Sequence, residues 1–291
     1  MNFAPSLAPP HRLLLEPLVR NALLEDLGRA GDVTSDAIAP PDARARAVLA
    51  ARQKGVIAGL ELARIAFELV DPRVSFIVEH DDGAHVAAGA RLATLEGPAR
   101  AILTAERTAL NFLSHLSGIA TVTASIVAAV SGSNARVVCT RKTTPGLRAV
   151  EKYAVRAGGG ANHRFGLDDA MLIKDNHVAL AGSVGEAVRR AKAAAGHLVK
   201  IELEVDTLEQ LAEALDQGVD AVLLDNMTPD ALREAVTLID GRAISEASGR
   251  ITAQTAAAVA ATGVDVISVG WLTHSAPILD IGLDFEADQP A

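Results

Sequence analysis

The chain has 291 residues, 49% of them hydrophobic but only 3% aromatic; it can bury one large core or two modest ones, built from Ala, Val, Leu and Ile. A net charge of -9 excludes nucleic acid as the main partner, since a phosphate backbone needs a basic face. One cysteine, Cys139, excludes an internal disulfide or a thiolate metal cluster and points to a reducing, cytoplasmic setting.

The first ten positions, with Pro5, Pro9 and Pro10, read as loose, and they lack the basic start and long apolar run of a signal peptide. No run of about 18 uncharged apolar residues is recognised as a membrane span, so a soluble protein is expected. Spacing predicts a helix over about Glu16–Asp26, with Pro17 in its first turn and Leu18, Leu23, Leu24 and Leu27 on its apolar face. From Ala45 to Pro98 the short apolar runs AVLAA, VSFIVEH and RLATLEG alternate with Gly-containing turns around one helix, about Leu60–Val70. That reads as a small α+β domain. A long helical stretch follows, about Ala99–Val130, with a break expected near Gly118.

From Ala135 a unit repeats: apolar strand, polar strand end, Ala/Leu-rich helix. The strands are ARVVCT, AMLIKD, VKIELEV, DAVLLD, RAISEA and DVISVG, and the helices centre on 147–157, 184–195, 208–217, 229–239 and 252–262. Such alternation implies parallel strands with right-handed crossovers, in either an open sheet or a barrel. The strand ends favour the barrel. They read Thr140-Arg141-Lys142, Lys174-Asp175, Glu204, Asp225, Glu246 and Gly270, polar groups that a barrel gathers on one face. No G-x-G-x-x-G marks a dinucleotide turn.

Between Arg141 and His177 seven Lys/Arg face four acids, a local +3 in an acidic chain. A basic pocket of this kind attracts a small, multiply anionic ligand. Arg148, Lys152 and Arg156 lie at helical spacing and read as a solvated helix face. Arg141 and Lys142 follow a buried strand. Gly158-Gly159-Gly160 reads as a flexible segment delivering His163 and Arg164, and Lys174 ends the next strand. Arg suits bidentate carboxylate recognition and Lys suits phosphate. Glu204 and Asp225 would face these cations, where they can bind Mg²⁺, hold sugar hydroxyls or stabilise a developing positive charge. Ser248-Gly249 and Val269-Gly270 lie where barrels commonly hold a phosphate. Cys139 reads as a small buried hydrophobe.

These blocks resemble the quinolinate phosphoribosyltransferase family. The resemblance rests on Glu106-Arg107 with Leu110-Asn111, Thr140-Arg141-Lys142-Thr143, Gly158-Gly159-Gly160 with Asn162-His163-Arg164, Leu172 to His177, Asp225-Asn226-Met227, Glu246 to Gly249 and Ser268-Val269-Gly270, and it runs from about Leu13 to Asp284. It implies an α/β fold: an incomplete α/β (TIM-like) barrel over residues 116–275, with an N-terminal α/β sandwich domain over 1–115 completed by 276–291. It also implies transfer of a phosphoribosyl group from phosphoribosyl pyrophosphate to quinolinate with loss of CO₂, a step of NAD biosynthesis that uses Mg²⁺ and no organic cofactor. The implied assembly is a homodimer or higher oligomer in which the position of Arg107 enters the neighbour's site.

By resemblance, Arg141, His163, Arg164 and Lys174 line the quinolinate pocket beside Thr140. Lys142, Glu204 and Asp225 meet the sugar-pyrophosphate or its metal, and Ser248, Gly249, Gly270 and His274, with Arg250 and Val269, surround the 5′-phosphate. Lys142, Lys174, Glu204 and Asp225 carry the catalytic roles. Two positions depart from the family pattern: Arg250 stands where Gly or Asn is usual, and Trp271 where Ala is usual. The nearest rivals are a nicotinate-using transferase of the same fold, a molybdenum-transport-associated paralogue and a non-catalytic sensor. Paired Arg141 and Arg164 favour a dicarboxylate, and intact Glu204 and Asp225 favour catalysis.

Overall fold

The computed structural model describes residues 7–286; Pro5 and residues 287–291, included in the expectations above, lie outside the described residues. In chain order the elements are α1 Arg12–Leu27, α2 Val33–Ile38, β1 Arg44–Ala51, β2 Gly55–Val56, α3 Leu60–Val70, β3 Ser75–Val78, β4 His85–Val86, β5 Arg91–Pro98 and α4 Ala99–Ala129. There follow β6 Arg136–Val138, α5 Arg148–Ala157, β7 Met171–Ile173, α6 Asp175–Ala181, α7 Val184–Ala194, β8 Ile201–Val205, α8 Leu208–Asp216 and β9 Ala221–Asp225. The last are α9 Pro229–Ile239, β10 Ile244–Ser248, α10 Ala253–Ala260, β11 Val266–Ser268 and β12 Ile281–Glu286.

The chain forms two compact units. The first takes the chain up to Ala124, Thr144–Gly159 and the chain from Ser275 onward. Its main sheet is antiparallel, in the order β12-β1-β5-β3, and β12 pairs with β1 from Arg46↔Glu286 to Ala51↔Ile281. β2 and β4 make a small separate ribbon that the apolar pattern did not reveal. α1 starts a turn earlier than its periodicity suggests, because the His11 ring accepts the Leu13 N–H. Its buried stripe is Leu15, Val19 and Leu23, while Leu24 is exposed.

Gly118 does not break α4, which is continuous. A Cβ there would overlap the Pro277 carbonyl, so this glycine admits a neighbouring backbone and costs only helix propensity. By length and hydropathy α4 is long enough to cross a membrane, yet half of its apolar window is buried within the fold, as in a core helix.

α5 was expected among the barrel helices but belongs to the first unit. It buries Val150, Tyr153, Ala154 and Ala157 there; the Tyr153 hydroxyl donates to Asp82 at 2.7 Å, and fully buried Glu151 accepts the Thr144 N–H and bonds His115. Lys152 is only 2% exposed, so the solvated-face reading fails for it. Helical spacing was the right period, but it located the wet side incorrectly, since Lys can run an apolar stem through a core.

The second unit comprises Ser125–Thr143 and Gly160–His274. Six parallel strands lie in the order β6-β11-β10-β9-β8-β7; β7, β8, β9 and β10 are each followed by an α-helix, β6 runs into a loop, and β11 runs into a 3-10 turn at Gly270–Leu272. This is an incomplete α/β barrel, as expected. Along β8, Ile201, Leu203 and Val205 are buried while Glu202 and Glu204 alternate with them, so the period-2 pleat sends both acids to one face. Register aligns Glu204 with Leu223, and Leu223 with Glu246; Asp225, Ser248 and Ser268 form the next layer.

Candidate active site

The inner strand ends enclose a cavity of about 400 Å³. Thr140, Arg141 and Lys142 reach it from the end of β6, with His163 and Arg164 beside them. Lys174 stands after β7, Glu204 on β8, Asp225 on β9 and Ser248 on β10. Leu172, Leu223, Glu246 and Ser268 complete its wall.

Each cation is held by its backbone. Thr140 Oγ1 accepts the Lys142 N–H at 3.0 Å, and the Thr273 hydroxyl donates to the Lys142 carbonyl at 2.6 Å. Gly270 admits the Lys142 stem, since a Cβ would lie 2.9 Å from its Cδ. The segment before His163 is not a flexible loop. Ala161 forms a parallel bridge with Val138, donating to Val137 and accepting from Cys139, so it extends the sheet beyond β6. Gly158 is required because a Cβ would overlap the Ala120 carbonyl. His177 does not line the cavity; its Nδ1 accepts the Lys174 N–H at 2.9 Å, capping α6.

The electrostatics are those of an anion-binding site. Arg141 Nε and Arg164 Nε are both buried without a hydrogen-bond partner. Burial, followed by the neighbouring Arg141 charge, pushes the Arg164 guanidinium down. Two cations this close, each with an orphaned donor, are satisfied by a bidentate carboxylate ligand. Lys174 Nζ pairs with Glu204 Oε2, and Asp225 accepts from the Asn226 amide at 2.6 Å.

Below the cations lies an arrangement the sequence reading missed. His163 Nε2 sits 3.0 Å from Glu202 and 3.5 Å from Glu246, and Glu246 is 4% exposed with one carboxylate oxygen unpartnered. Burial, reinforced by the Glu202 charge, pushes the Glu246 carboxyl up to about 7. Alternation in IELEV was the available signal for Glu202. A raised carboxyl binds its proton more tightly in the folded chain than in the unfolded one, so this term loses stability as pH rises from about 4.5 towards 7. Urea unfolding of wild type and Glu246→Gln at pH 5 and pH 7 should therefore show the variant gaining relative stability at the higher pH. Equal shifts in both proteins would refute this assignment.

Not every expected phosphate residue reaches the cavity. Val269 is 1% exposed, and its N–H bonds the Val138 carbonyl, so it is a sheet residue. Gly249, Arg250, Gly270 and His274 lie outside the cavity lining. Gly249 has φ +109°, and a Cβ there would overlap Asn226 Oδ1, so the turn after β10 admits only glycine. Trp271 turns away: its indole N–H donates to the Ile251 carbonyl at 2.9 Å. Arg107, in the first unit, is exposed and lines a different cavity of about 510 Å³, with Glu25, Asp26, Asn111 and His115.

Comparison with known proteins places the chain in a family. Residues 32–117 match the family described as "Quinolinate phosphoribosyl transferase, N-terminal domain" and residues 119–284 its C-terminal domain. The chain belongs to the quinolinate phosphoribosyltransferase family. The chain is 48% identical to the nicotinate-nucleotide pyrophosphorylase [carboxylating] of Mycobacterium leprae, over 91% of this chain and 95% of that one. It is 45% identical to the probable enzyme of that name in Bacillus subtilis, over 94% of each. The structure of the nicotinate-nucleotide pyrophosphorylase from Francisella tularensis superposes with a TM-score of 0.92 at 38% identity, covering 97% of this chain and 99% of that one.

Against the quinolinate phosphoribosyltransferase pattern, Arg250 has a physical cost: its φ is +50°, in the left-handed region that Gly and Asn tolerate and other residues pay about 1–2 kcal/mol to enter. Arg250→Gly should therefore raise thermal stability, by about 0.5–1 kcal/mol after the added unfolded-state entropy. A destabilised glycine variant would show that the Arg250 side chain contributes more than its backbone costs.

Proposed function

We propose that this chain transfers the phosphoribosyl group of phosphoribosyl pyrophosphate to the ring nitrogen of quinolinate, releasing pyrophosphate and CO₂ and forming nicotinate mononucleotide for NAD biosynthesis. The observation that carries this reading is the pair of buried, unpartnered guanidinium Nε atoms of Arg141 and Arg164 beside Lys174, facing Glu204 and Asp225 across one cavity. Two neighbouring carboxylates on a ring meet the two guanidiniums, while Lys142 meets phosphate oxygens.

In the chemistry, the bond from C1′ to pyrophosphate breaks and the pyridine nitrogen takes C1′. Positive charge develops on the sugar, and Glu204 and Asp225 are placed to stabilise it without forming a covalent bond. The glycosylated ring nitrogen then acts as an electron sink: the C2–carboxylate bond breaks, CO₂ leaves, and C2 keeps the electron pair and takes a proton. No organic cofactor is required. Glu204 and Asp225 offer hard oxygen ligands of the kind that hold Mg²⁺ together with substrate phosphates. Because Glu204 is paired with Lys174, Asp225 is the better placed of the two to meet a metal directly. When bound, Mg²⁺ neutralises pyrophosphate charge.

The test incubates the purified chain with phosphoribosyl pyrophosphate, Mg²⁺ and either quinolinate or nicotinate. Quinolinate should yield mononucleotide and CO₂ in equal amounts, and nicotinate little product. Absence of both products from quinolinate rejects the proposal.

The working unit is a homodimer in which Arg107 serves the partner's site; its exposure and its absence from the lining of the cavity that holds Arg141 support this. Mixing Arg107→Ala chains with Lys174→Ala chains should then recover about a quarter of wild-type activity, because half of the randomly paired dimers regain one complete site. Hybrids that form but stay inactive refute the shared site.

A further inference from the structure

We infer that His163 serves the anion pocket as a neutral strut between the Arg164 backbone and the buried acids Glu202 and Glu246, and not as a hydrogen-bond donor to the substrate. The inference deepens the functional reading above and rests on it for what the pocket holds.

The ring geometry determines the protonation. His163 Nδ1 accepts the Arg164 backbone N–H at 2.8 Å, and a nitrogen that accepts an N–H carries no proton of its own. Nε2 lies 3.0 Å from Glu202 Oε2, and carboxylate oxygens accept, so Nε2 carries the proton and donates it. The ring is therefore the neutral Nε2–H form with both nitrogens turned to the protein. Its side chain is 13% exposed, and those of Glu202 and Glu246 are 12% and 6% exposed, so water competes little for these bonds.

The neighbouring cations are arranged in the opposite way. Arg141 and Arg164 each keep an unpartnered Nε, while Arg164 spends one terminal nitrogen on the Ala170 carbonyl at 3.1 Å. The pocket thus reads its carboxylates with guanidinium and ammonium groups. His163 lines the wall and, through the bond from the Arg164 N–H to its Nδ1, fixes where the Arg164 backbone starts. Glu202 and Glu246 are positioning residues acting through it. His177 does the same for Lys174 through its own Nδ1, so two substrate-facing cations are each pinned at the backbone by an imidazole.

A metal does not fit these three groups, although their ligand atoms lie within 4.8 Å of one another. Binding one at Nε2 would require a proton on Nδ1, and the Arg164 N–H occupies that position.

The test is the tautomer itself, read by long-range ¹H–¹⁵N correlation on the ¹⁵N-labelled full chain at pH 7, with His163 assigned by its loss in His163→Asn. The expected pattern is a bare Nδ1 and a protonated Nε2, unchanged when quinolinate alone is added to saturation. A proton on Nδ1, or quinolinate shifting the Nε2–H as a new hydrogen bond would, overturns the strut. Failure of quinolinate to perturb any resonance would count against the functional reading, while the tautomer of the free protein still decides this one. Kinetics supply a second readout. His163→Ala should raise KM for quinolinate about tenfold, the worth of one net hydrogen bond, with KM for phosphoribosyl pyrophosphate unchanged. His163→Asn, whose Oδ1 can accept the Arg164 N–H, should restore most of that loss. An Asn variant as weak as the Ala variant refutes the role.

Discussion

Arg141→Ala should lower kcat/KM for quinolinate by about 10²–10³-fold while leaving KM for phosphoribosyl pyrophosphate nearly unchanged. A charge-assisted, bidentate contact to a carboxylate is worth about 3–4 kcal/mol when it is buried, and the Arg141 Nε is already desolvated without a partner. The desolvation cost is met in the free protein, so the whole contact appears on binding. Stability should move the other way. Arg141 is a like charge beside Arg164 and helps push that guanidinium down, so its removal relieves repulsion and the variant should melt no lower than wild type. A loss of activity accompanied by a loss of stability would mark Arg141 as structural and reject the assignment. Arg141→Lys keeps the charge but not the planar fork, and should recover only part of the loss.

Gly118→Ala should destabilise the first unit by about 3 kcal/mol, read by urea unfolding, although helix propensity alone would predict a gain of about 1 kcal/mol. The sign is decided by packing. The new Cβ would overlap the Pro277 carbonyl and lie 2.9 Å from Ile278 Cα; backbone cannot rotate away as a side-chain tip can, so overpacking takes its full cost. The Leu279 N–H bonds the Ser114 carbonyl at 3.0 Å on the same helix, so a displaced 277–279 segment also strains the path into β12. The variant should be cut faster by protease in that segment. An Ala variant as stable as wild type would show that the segment slides freely along α4.

The strand–helix alternation from Ala135 onward was legible in the sequence because its causes are local. A buried parallel strand needs a continuous apolar run, and an amphipathic helix repeats every 3.6 residues. The candidate site was legible for a related reason. Barrel function concentrates at strand ends, and the charges at Arg141, Lys174, Glu204 and Asp225 stand there in the linear pattern. Arg250 was visible as a departure, but its cost is a dihedral angle that no spacing encodes.

What the tertiary structure decided was everything that depends on two distant segments meeting. Gly118 reads as a helix breaker until Pro277 is placed against it. Lys152 reads as solvated until α5 is buried in the first unit. Glu202 is only an alternating polar position in IELEV until His163 meets it from a segment 39 residues earlier. By itself the sequence determined periodicity, composition and the chemical type of each strand end, because these follow from the pleat, the helical turn and the side chain alone. Burial, protonation and close backbone approach were decided by the fold, because each is a property of a pair of groups and the free energy of that pair exists only once both are in place.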